Sequence, residues 1–266
     1  LQKLTDSGFN INLIKAGENL GYTGGNNLGI DYALKKKVEY VLLLNNDTFI
    51  AKNTLENMIR SAVLDKKIGV LSPKILFYPE KHLIWSAGPT FNNLNLMGNL
   101  TGYKELDKEC YNREGDVDYV SGCAMLIRTK VIKEIGKLRE DYFVGGCEDI
   151  DFCFKVKKQG YRIFYEPSAS VWHIESASSG GSDAPQYAYY QTRNYLAFHS
   201  RLAQNLWQLV ISQLYYLAFL IKRSFLFLIN RNFKGILAIF LGVRDAVLGN
   251  MGRQDYQVLK KSVRKK

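Results

Sequence analysis

A short apolar run that ends in two amides and a carboxylate constrains the fold of this chain more than any other feature. Residues 41–44 read VLLL, and Asn45, Asn46 and Asp47 follow them directly. So short a run predicts a strand rather than a helix, and its lack of polar residues predicts burial on both faces, as in a parallel sheet. The polar residues then lie at the carboxyl edge of the sheet, where open α/β folds bind ligands. A carboxylate there suits Mg²⁺ bound to phosphate oxygens, although Asn and Asp also favour plain turns.

Alternating strand and helix patterns around this run predict a mostly parallel sheet covered by helices. Residues 9–15 read as a strand, and the Gly- and Asn-rich stretch 19–27 reads as a loop that opens a helix at 26–37. An amphipathic pattern over 52–65 predicts the next helix, and 68–71 the next strand. The first amides of the 26–37 helix would point at a ligand above the sheet.

The middle of the chain predicts a long connection and a further strand. Residues 74–116 are polar and rich in Asn, Gly and Tyr, so we expect an irregular flap on the substrate side. Residues 117–128 read as a buried strand that Ser121 and Gly122 interrupt. Thr129 is the predicted cap of the short helix that follows.

Two glycines followed by three acids form the second cluster that indicates chemistry. Gly145 and Gly146 predict a flexible turn, and Glu148, Asp149 and Asp151 fall in the first turn of the next predicted helix. The structural alternative is that acids stabilise the start of any helix through capping and the helix dipole. Three carboxylates beside a double glycine exceed what a cap needs, so we favour a catalytic role.

One of the three histidines ends the closing strands. Residues 162–165 and 169–173 read as strands, and His173 is the last residue of the second. A single histidine at the end of an apolar run is more often structural than a ligand or a proton carrier. A functional role for His173 therefore needs support from other residues.

The net charge of +11 is confined to one end of the chain. Residues 185–266 contain 13 Lys and Arg against 2 Asp, whereas residues 1–184 contain 23 residues of each sign. Because the basic part is also aliphatic and aromatic, it predicts contact with a membrane surface and argues against nucleic-acid binding. The uncharged run 206–221 is shorter than the roughly 20 residues of a spanning helix. We expect interfacial or hairpin-like helices. The alternative is a membrane-spanning helix in which the Lys222 and Arg223 side chains extend to the membrane surface.

Composition and cysteine spacing are those of a folded cytosolic protein. Hydrophobic residues make up 47% of the chain and charged residues 23%. The four cysteines form no C-x-x-C pair and have no His partner at zinc-finger spacing, so we expect reduced thiols. The first ten residues lack the pattern of a signal peptide. A small, polar stretch at 176–185 predicts the boundary between a unit at 1–184 and the basic, apolar, helical region at 185–266.

In their order and spacing, these motifs resemble the inverting glycosyltransferases of family two, which have the GT-A fold. The stretches that carry the resemblance are 19–27, 42–48, 121–125, 148–153 and His173. They cover nearly the whole chain and are most similar to bacterial rhamnosyltransferase-type members of cell-envelope polysaccharide synthesis. The Gln-x-x-Arg-Trp motif of processive synthases is absent from the sequence. Roughly one βαβ unit of the family pattern is missing at the start, so we expect an N-terminally incomplete GT-A domain at 1–184.

The resemblance implies the chemistry of the two clusters. Asp47 falls on the family's Asp-x-Asp position, where Asn45 replaces the first acid, and Asp47 and His173 would hold Mg²⁺ or Mn²⁺ on the donor diphosphate. Asp149 would be the catalytic base that takes the proton of the acceptor hydroxyl. Glu148 would orient the acceptor or the base.

The resemblance also implies residues that contact the ligands. Contacts with the donor nucleotide fall on Asn19, Gly21, Asn26, Asn45 and Asn46. Contacts with the acceptor or the diphosphate fall on Asp151 and Arg193.

The implied reaction is the transfer of a sugar from a nucleotide-sugar donor to a hydroxyl group, with inversion. The candidate donor is dTDP-rhamnose, and the acceptor is polyprenyl-diphosphate-linked or a glycan. The implied location is the cytoplasmic face of the bacterial inner membrane, as a peripheral or monotopic protein. The alternative function is a non-catalytic membrane-bound binding module derived from a truncated glycosyltransferase.

Overall fold

The structure, a computed structural model, describes residues 11–174 and 183–257. Its helices are α1 (Gly21–Lys35), α2 (Thr54–Leu64), α3 (Thr129–Ile135), α4 (Glu148–Lys158), α5 (Pro185–Leu202), α6 (Leu206–Ile229) and α7 (Phe233–Leu248). Its strands are β1 (Tyr40–Leu44), β2 (Thr48–Ile50), β3 (Ile68–Phe77), β4 (Ile84–Ser86), β5 (Thr90–Asn92), β6 (Met97–Asn99), β7 (Gly115–Asp116), β8 (Ala124–Arg128) and β9 (Arg162–His173). Most of the predicted linker at 176–185 lies outside the described residues, and 11–15, the described part of the first predicted strand, forms no strand.

A 7-stranded mixed sheet organises the first part of the chain. Its main path runs β1-β8-β3-β9-β2, with β4 added to β3 and β7 added to β9. β3 and β9 are parallel, whereas β8 is antiparallel to both β1 and β3, and β2 is antiparallel to β9. The predicted α/β class is confirmed, but the expectation of a mostly parallel sheet is wrong for the described strands. The reason is that β8 returns from the carboxyl edge and inserts between β1 and β3.

Helices pack on both faces of this sheet. On one face, α1, α3 and α4 enclose a core that includes Val70 and Ile127. On the other face, Met58 and Ala62 of α2 pack against Leu71. The neighbours Val70 and Leu71 belong to the cores on opposite faces of the sheet, because successive side chains of a strand point to opposite faces. All residues of β3 are buried, so β3 is the centre of the fold.

Two expectations around the first motif differ from the structure. β1 lies at the end of the sheet path and buries only Leu43, so the burial predicted for both of its faces is wrong. Most of the Gly- and Asn-rich stretch, residues 21–27, forms the first turns of α1 instead of a loop. Glycine is required there because a Cβ at Gly21 would lie 2.4 Å from the Phe143 carbonyl oxygen, and one at Gly24 would lie 2.8 Å from the Leu20 Cβ.

The region at 74–116 is more regular than the expected flap. β3 continues to Phe77, β5 and β6 pair as an antiparallel hairpin, and β7 joins the main sheet through β9. The strand predicted at 117–128 is shorter, since only β8 is extended and residues 122–123 form a turn. That turn lies at the sheet edge where the two predicted clusters meet.

The C-terminal helices pack onto the sheet unit and onto one another. On α5, Phe198 is part of the core beside the sheet, and Tyr189 and Tyr190 are part of a second core shared with α6 and α7. α5 is therefore common to both cores.

α6 turns its apolar residues outward. Its buried stripe contains three residues with polar groups, Ser212, Tyr216 and Arg223. Its exposed residues include Trp207 and Leu214, whose exposed fractions are 77% and 60%. With 24 residues, α6 is long and apolar enough to cross a membrane by length and composition.

Candidate active site

Asp47 and His173 meet at the carboxyl edge of the sheet. Thr48 pairs with His173 across β2 and β9, and this register brings Asp47 next to the end of β9. The Ile174 amide donates to the Asp47 carbonyl oxygen at 3.0 Å. The Asp47 Oδ1 atom lies 3.4 Å from the His173 Nε2 atom, and both side chains are nearly buried. The structure therefore brings together the two residues that the sequence predicted as metal ligands.

This pair fits a divalent cation. The Asp47 Oδ1 atom is buried and has no hydrogen-bond partner in the described part of the chain. A buried carboxylate oxygen without a donor is costly unless a cation or another donor reaches it. Carboxylate oxygen suits Mg²⁺ and Mn²⁺, and these ions commonly complete their shell with substrate phosphates and water. The described residues contain no group of three or more His, Cys, Asp or Glu side chains that could hold a metal by themselves.

The turn at 121–123 lies between the predicted metal residues and the predicted base. The Asn45 amide donates to the Cys123 carbonyl oxygen at 3.0 Å. The Gly122 amide donates to the Asp149 Oδ2 atom at 3.1 Å. Burial, followed by the nearby charges of Asp47 and Asp149, raises the pKa of the Cys123 thiol. One short turn thus joins the loop after β1 to the first turn of α4.

Asp149 has the environment of a general base. It is half-buried in the first turn of α4, and its Oδ1 atom accepts from the Ile150 amide at 2.8 Å. Burial is the main cause that raises the pKa of the Asp149 carboxyl, to about 7, and the charge of Glu148 is the second. A base whose pKa lies near the working pH accepts a proton most effectively.

Glu148 stabilises the double-glycine turn that precedes it by accepting hydrogen bonds from the main chain. Its buried Oε2 atom accepts from the Gly146 amide at 2.9 Å and from the Cys147 amide at 3.0 Å. Gly145 and Gly146 have φ of 123° and 86°, which a side chain would disfavour. Burial raises the pKa of Glu148 and the three amide contacts that stabilise its charge oppose this. Glu148 therefore acts on Asp149 by holding the turn before it and by its charge.

Tyr22 belongs to this site although it was not among the predicted site residues. Its hydroxyl donates to the Gly122 carbonyl oxygen at 2.6 Å. Burial, followed by the charges of Asp149 and Glu148, raises the pKa of Tyr22. Its place in the Asn19–Asn27 motif, directly after Gly21, was the signal that could have identified it.

We expect Gly122→Ala to destabilise the protein by about 1–3 kcal/mol, the usual cost of overpacking. The added Cβ would lie 2.2 Å from the Tyr22 hydroxyl oxygen. The matched control is Gly25→Ala in α1, where no heavy atom lies within 4 Å of the new Cβ. This control should be neutral or stabilising by up to about 1 kcal/mol, because Ala favours a helix over Gly. Urea unfolding of both variants measures the difference, and equal stability of the two would contradict the packing around Gly122.

The predicted nucleotide contacts in α1 and just before it have partners within the protein. The Asn19 Oδ1 atom accepts from the Gly21 amide at 2.9 Å, and the Asn26 Nδ2 atom donates to the Tyr22 carbonyl oxygen at 2.8 Å. The Phe143 carbonyl oxygen accepts from the Tyr22 amide at 2.9 Å. The expectation that the first amides of this helix point at a ligand is therefore wrong. The roles of Asn19, Gly21 and Asn26, and of Asn45 and Asn46 beside Asp47, in nucleotide binding stay predictions.

Arg193 and Asp151 both have partners within the protein. Arg193 is fully buried, and its guanidinium donates to main-chain carbonyl oxygens, which include those of Tyr142 at 3.0 Å and Asp141 at 3.2 Å. The predicted diphosphate or acceptor contact of Arg193 is therefore wrong in this structure, because its donors are already used. Asp151 forms an ion pair with Lys155 at 3.1 Å along α4, and its role toward an acceptor stays a prediction.

The chain is similar to several known glycosyltransferases. The model of the family described as glycosyltransferase like family 2 matches residues 8–192. A hexosyltransferase of low-salt glycan biosynthesis from Haloferax volcanii is 28% identical over 74% of this chain and 62% of its own length. A poly-beta-1,6-N-acetyl-D-glucosamine synthase from Staphylococcus aureus is 28% identical over 62% of this chain and 36% of its own length. The chain thus spans less than two thirds of either relative.

A solved structure supports the fold. The crystal structure of GalNAc-T7 with UDP, GalNAc and Mn²⁺ superposes with a TM-score of 0.53 over 75% of this chain and 40% of that chain. The sequence identity is 12%, so the similarity concerns the fold alone. Together with a family model that covers well over half of the sequence, it shows that this chain belongs to the glycosyltransferase like family 2 and has a GT-A-like fold.

Proposed function

We propose that this chain transfers a hexosyl group from a nucleotide sugar to an acceptor hydroxyl, with inversion at the anomeric carbon. One observation carries the proposal. The Asp47–His173 pair, which fits a divalent cation, and Asp149, which fits a general base, are joined by the turn at 121–123. A leaving diphosphate and an attacking hydroxyl need these two functions on opposite sides of the reacting carbon.

Each residue has a defined task in this mechanism. Asp149 accepts the proton of the acceptor hydroxyl as the new glycosidic bond forms and the bond to the diphosphate breaks. Asp47 and His173 would hold Mg²⁺ or Mn²⁺, which supplies charge neutralisation to the leaving diphosphate when it is bound. Gly122 fixes the Asp149 carboxylate through its amide, and positioning of this kind provides a large share of rate enhancement.

The relatives support the general class of donor and product. One relative is named a hexosyltransferase of glycan biosynthesis, and the other is named a synthase of a polysaccharide. We infer from these names a hexose nucleotide as donor and a growing glycan as acceptor. Rhamnose as the hexose, with dTDP-rhamnose as its donor, and a polyprenyl-diphosphate carrier remain predictions that the family resemblance implies.

The activity of the chain should depend on pH in a specific direction. Because burial and the charge of Glu148 raise the pKa of Asp149 to about 7, the base is protonated below that pH. We expect kcat/KM to fall about tenfold per pH unit below 7 and to level off above it. Glu148→Gln removes the neighbouring charge and should move this limb to lower pH, while burial keeps it above the ordinary range of carboxyl groups. A rate that is flat from about pH 5 to about pH 8, where ordinary carboxyl groups are ionised, would contradict the assignment.

The C-terminal helices are the membrane-associating part of this proposal, and 1–184 is the catalytic part. The support is the outward apolar face of α6, together with the excess of Lys and Arg in 185–266. A helix that places its polar stripe inward and its apolar residues outward suits a lipid environment. We infer a membrane surface as the partner of α6, on the cytoplasmic side where the nucleotide sugar is.

We expect Leu214→Glu to weaken binding to vesicles that contain anionic phospholipid by about tenfold or more, the scale of one lost Leu burial. Ile221→Glu, on the same exposed side of α6, should act similarly. The control is Leu64→Glu at the end of α2, where the side chain is 80% exposed and remote in sequence from the C-terminal helices. Vesicle co-sedimentation measures the binding. Equal losses in all three variants would contradict the assignment to α6.

The proposed function is tested by a screen of nucleotide sugars. The full-length protein is incubated with each donor, with and without Mn²⁺ or Mg²⁺, and release of the nucleoside diphosphate is measured. We expect release from at least one hexose donor that depends on the metal ion. Binding of donors without any release would contradict the proposal and favour the non-catalytic binding module.

A further inference from the structure

The turn at 142–144, which leads into α4, has an unusual backbone. Phe143 has φ of 65° and ψ of −61°, and the Val144 amide donates to the Tyr142 carbonyl oxygen at 2.8 Å. These values define a γ-turn with positive φ, which a residue with a side chain adopts rarely and at a cost. Such a conformation persists only where the surrounding contacts determine it.

Two buried side chains of α5 supply those contacts. The Asn194 Nδ2 atom donates to the carbonyl oxygens of Tyr142 at 3.0 Å and Val144 at 2.7 Å, and so it binds both ends of the turn. The Arg193 Nη2 atom donates to the same Tyr142 oxygen at 3.0 Å and to that of Asp141 at 3.2 Å. Arg193 also donates from Nε to the Asn194 Oδ1 atom at 3.1 Å, which fixes the amide orientation. Both side chains are fully buried.

The turn at 142–144 is connected to Asp149 by two routes. The first is the main chain through Gly145, whose added Cβ would lie 3.0 Å from the Asn194 Nδ2 atom. The second begins at the Phe143 carbonyl oxygen, which the turn directs at the Tyr22 amide. Tyr22 then holds the Gly122 carbonyl, and the Gly122 amide holds the Asp149 carboxylate.

We propose that Arg193 and Asn194 are positioning residues for the transfer reaction. They hold the turn at 142–144 in its strained form and thereby place Asp149 against Gly122. The assignment rests on the proposed function in one respect, that Asp149 is the base. It gives the C-terminal helices a part in catalysis. It also explains how the Arg193 guanidinium is buried although no carboxylate among the described residues pairs with it, because main-chain carbonyl oxygens of Tyr142 and Gly252 accept its hydrogen bonds.

The test uses Asn194→Asp in the full-length chain. This substitution keeps the size of the side chain and the oxygen that accepts from Arg193, but it removes both donors to the turn. Asn194→Ser removes the same donors with a smaller side chain and serves if the Asp variant does not fold. The matched control is Phe198→Leu, a fully buried residue on the same helix whose ring contacts are with Phe91, Tyr195 and His199.

Two measurements are made on each variant. The first is amide hydrogen exchange over 142–149 in the protein without substrates, where we expect an acceleration of about tenfold or more for Asn194→Asp and none selective to this segment for Phe198→Leu. The second is steady-state kinetics, where we expect kcat to fall on the order of 10²-fold while the donor KM changes by less than about threefold. Restoring the amide at 194 should restore both values.

Each outcome decides the proposal. Unchanged exchange over 142–149 would show that Asn194 does not hold the turn. Faster exchange with unchanged kcat would show that the turn does not place the base. The exchange measurement needs no turnover. A wild-type chain without transferase activity would therefore overturn the proposed function, whereas hydrogen exchange over 142–149 would still show whether Asn194 holds the turn.

Discussion

The Asp149→Asn variant is expected to lose about 10²- to 10⁴-fold in kcat, the usual contribution of a general base. Asn has the size of Asp, and its oxygen can still accept from the Gly122 amide, which Asp149 holds at 3.1 Å. It cannot take the proton of the acceptor hydroxyl. The donor KM should change little, because the proposed mechanism has the donor diphosphate bind beside Asp47, at the other side of the turn at 121–123. Initial rates over a range of donor concentrations separate the two parameters.

The same variant should not lose stability. Burial raises the pKa of Asp149 from 3.8 to about 7, so the folded state binds more protons than the unfolded state between these values. The stability of the wild type therefore falls as pH rises through this window, and Asp149→Asn removes that loss. Asp31→Asn is the control, since Asp31 is a surface carboxylate paired with Lys137 at 2.6 Å. Wild-type kcat in a folded Asp149→Asn protein would show that another group is the base.

The Asp47→Asn variant is expected to lose about 10²-fold or more in kcat/KM, because a bound metal contributes several kcal/mol to stabilising the leaving charge. The reason is structural. The Asp47 Oδ1 atom is buried without a hydrogen-bond partner in the described residues and lies 3.4 Å from the His173 Nε2 atom. Removing its charge takes away the carboxylate that pairs with His173 at this edge of the sheet.

Titration with Mn²⁺ measures the effect of Asp47→Asn. We expect the Mn²⁺ concentration that gives half-maximal activity to rise at least about tenfold, in line with the loss of a metal contact. Asp31→Asn again serves as the control, with the same chemical change on α1. Equal Mn²⁺ dependence of the wild type and Asp47→Asn would exclude Asp47 as a ligand.

Local sequence patterns predicted several helices and strands of the fold correctly. The VLLL run forms β1, the pattern around Met58 and Ala62 forms α2, and the acids at 148–151 open α4 as predicted. Each of these depends on residues that are near in sequence. The meeting of Asp47 with His173 was also predicted, but only through the resemblance, since no local pattern links a loop after β1 to the end of β9.

The parts that sequence did not reveal depend on contacts between distant residues. The antiparallel insertion of β8 depends on which neighbours β1 and β3 accept, and a strand pattern does not encode its partner. Asn27 donates to the Leu138 carbonyl oxygen and the Glu140 carboxylate, and so fixes the chain ahead of the turn at 142–144. In the sequence it is only one of several Asn residues in a Gly-rich stretch. Arg193 was expected to contact a ligand only because of the family resemblance. Its interior role is visible only once the carbonyls of 141–142 are placed beside it.

The stereochemistry of sugar release tests the central claim most directly. With the donor found by the nucleotide-sugar screen, the full-length protein is allowed to hydrolyse it slowly, and the anomeric proton of the released sugar is followed by NMR before mutarotation. A single displacement assisted by Asp149 predicts a first product with the anomeric configuration opposite to that of the donor, at a rate that falls in Asp149→Asn. A first product with the configuration of the donor would contradict the account.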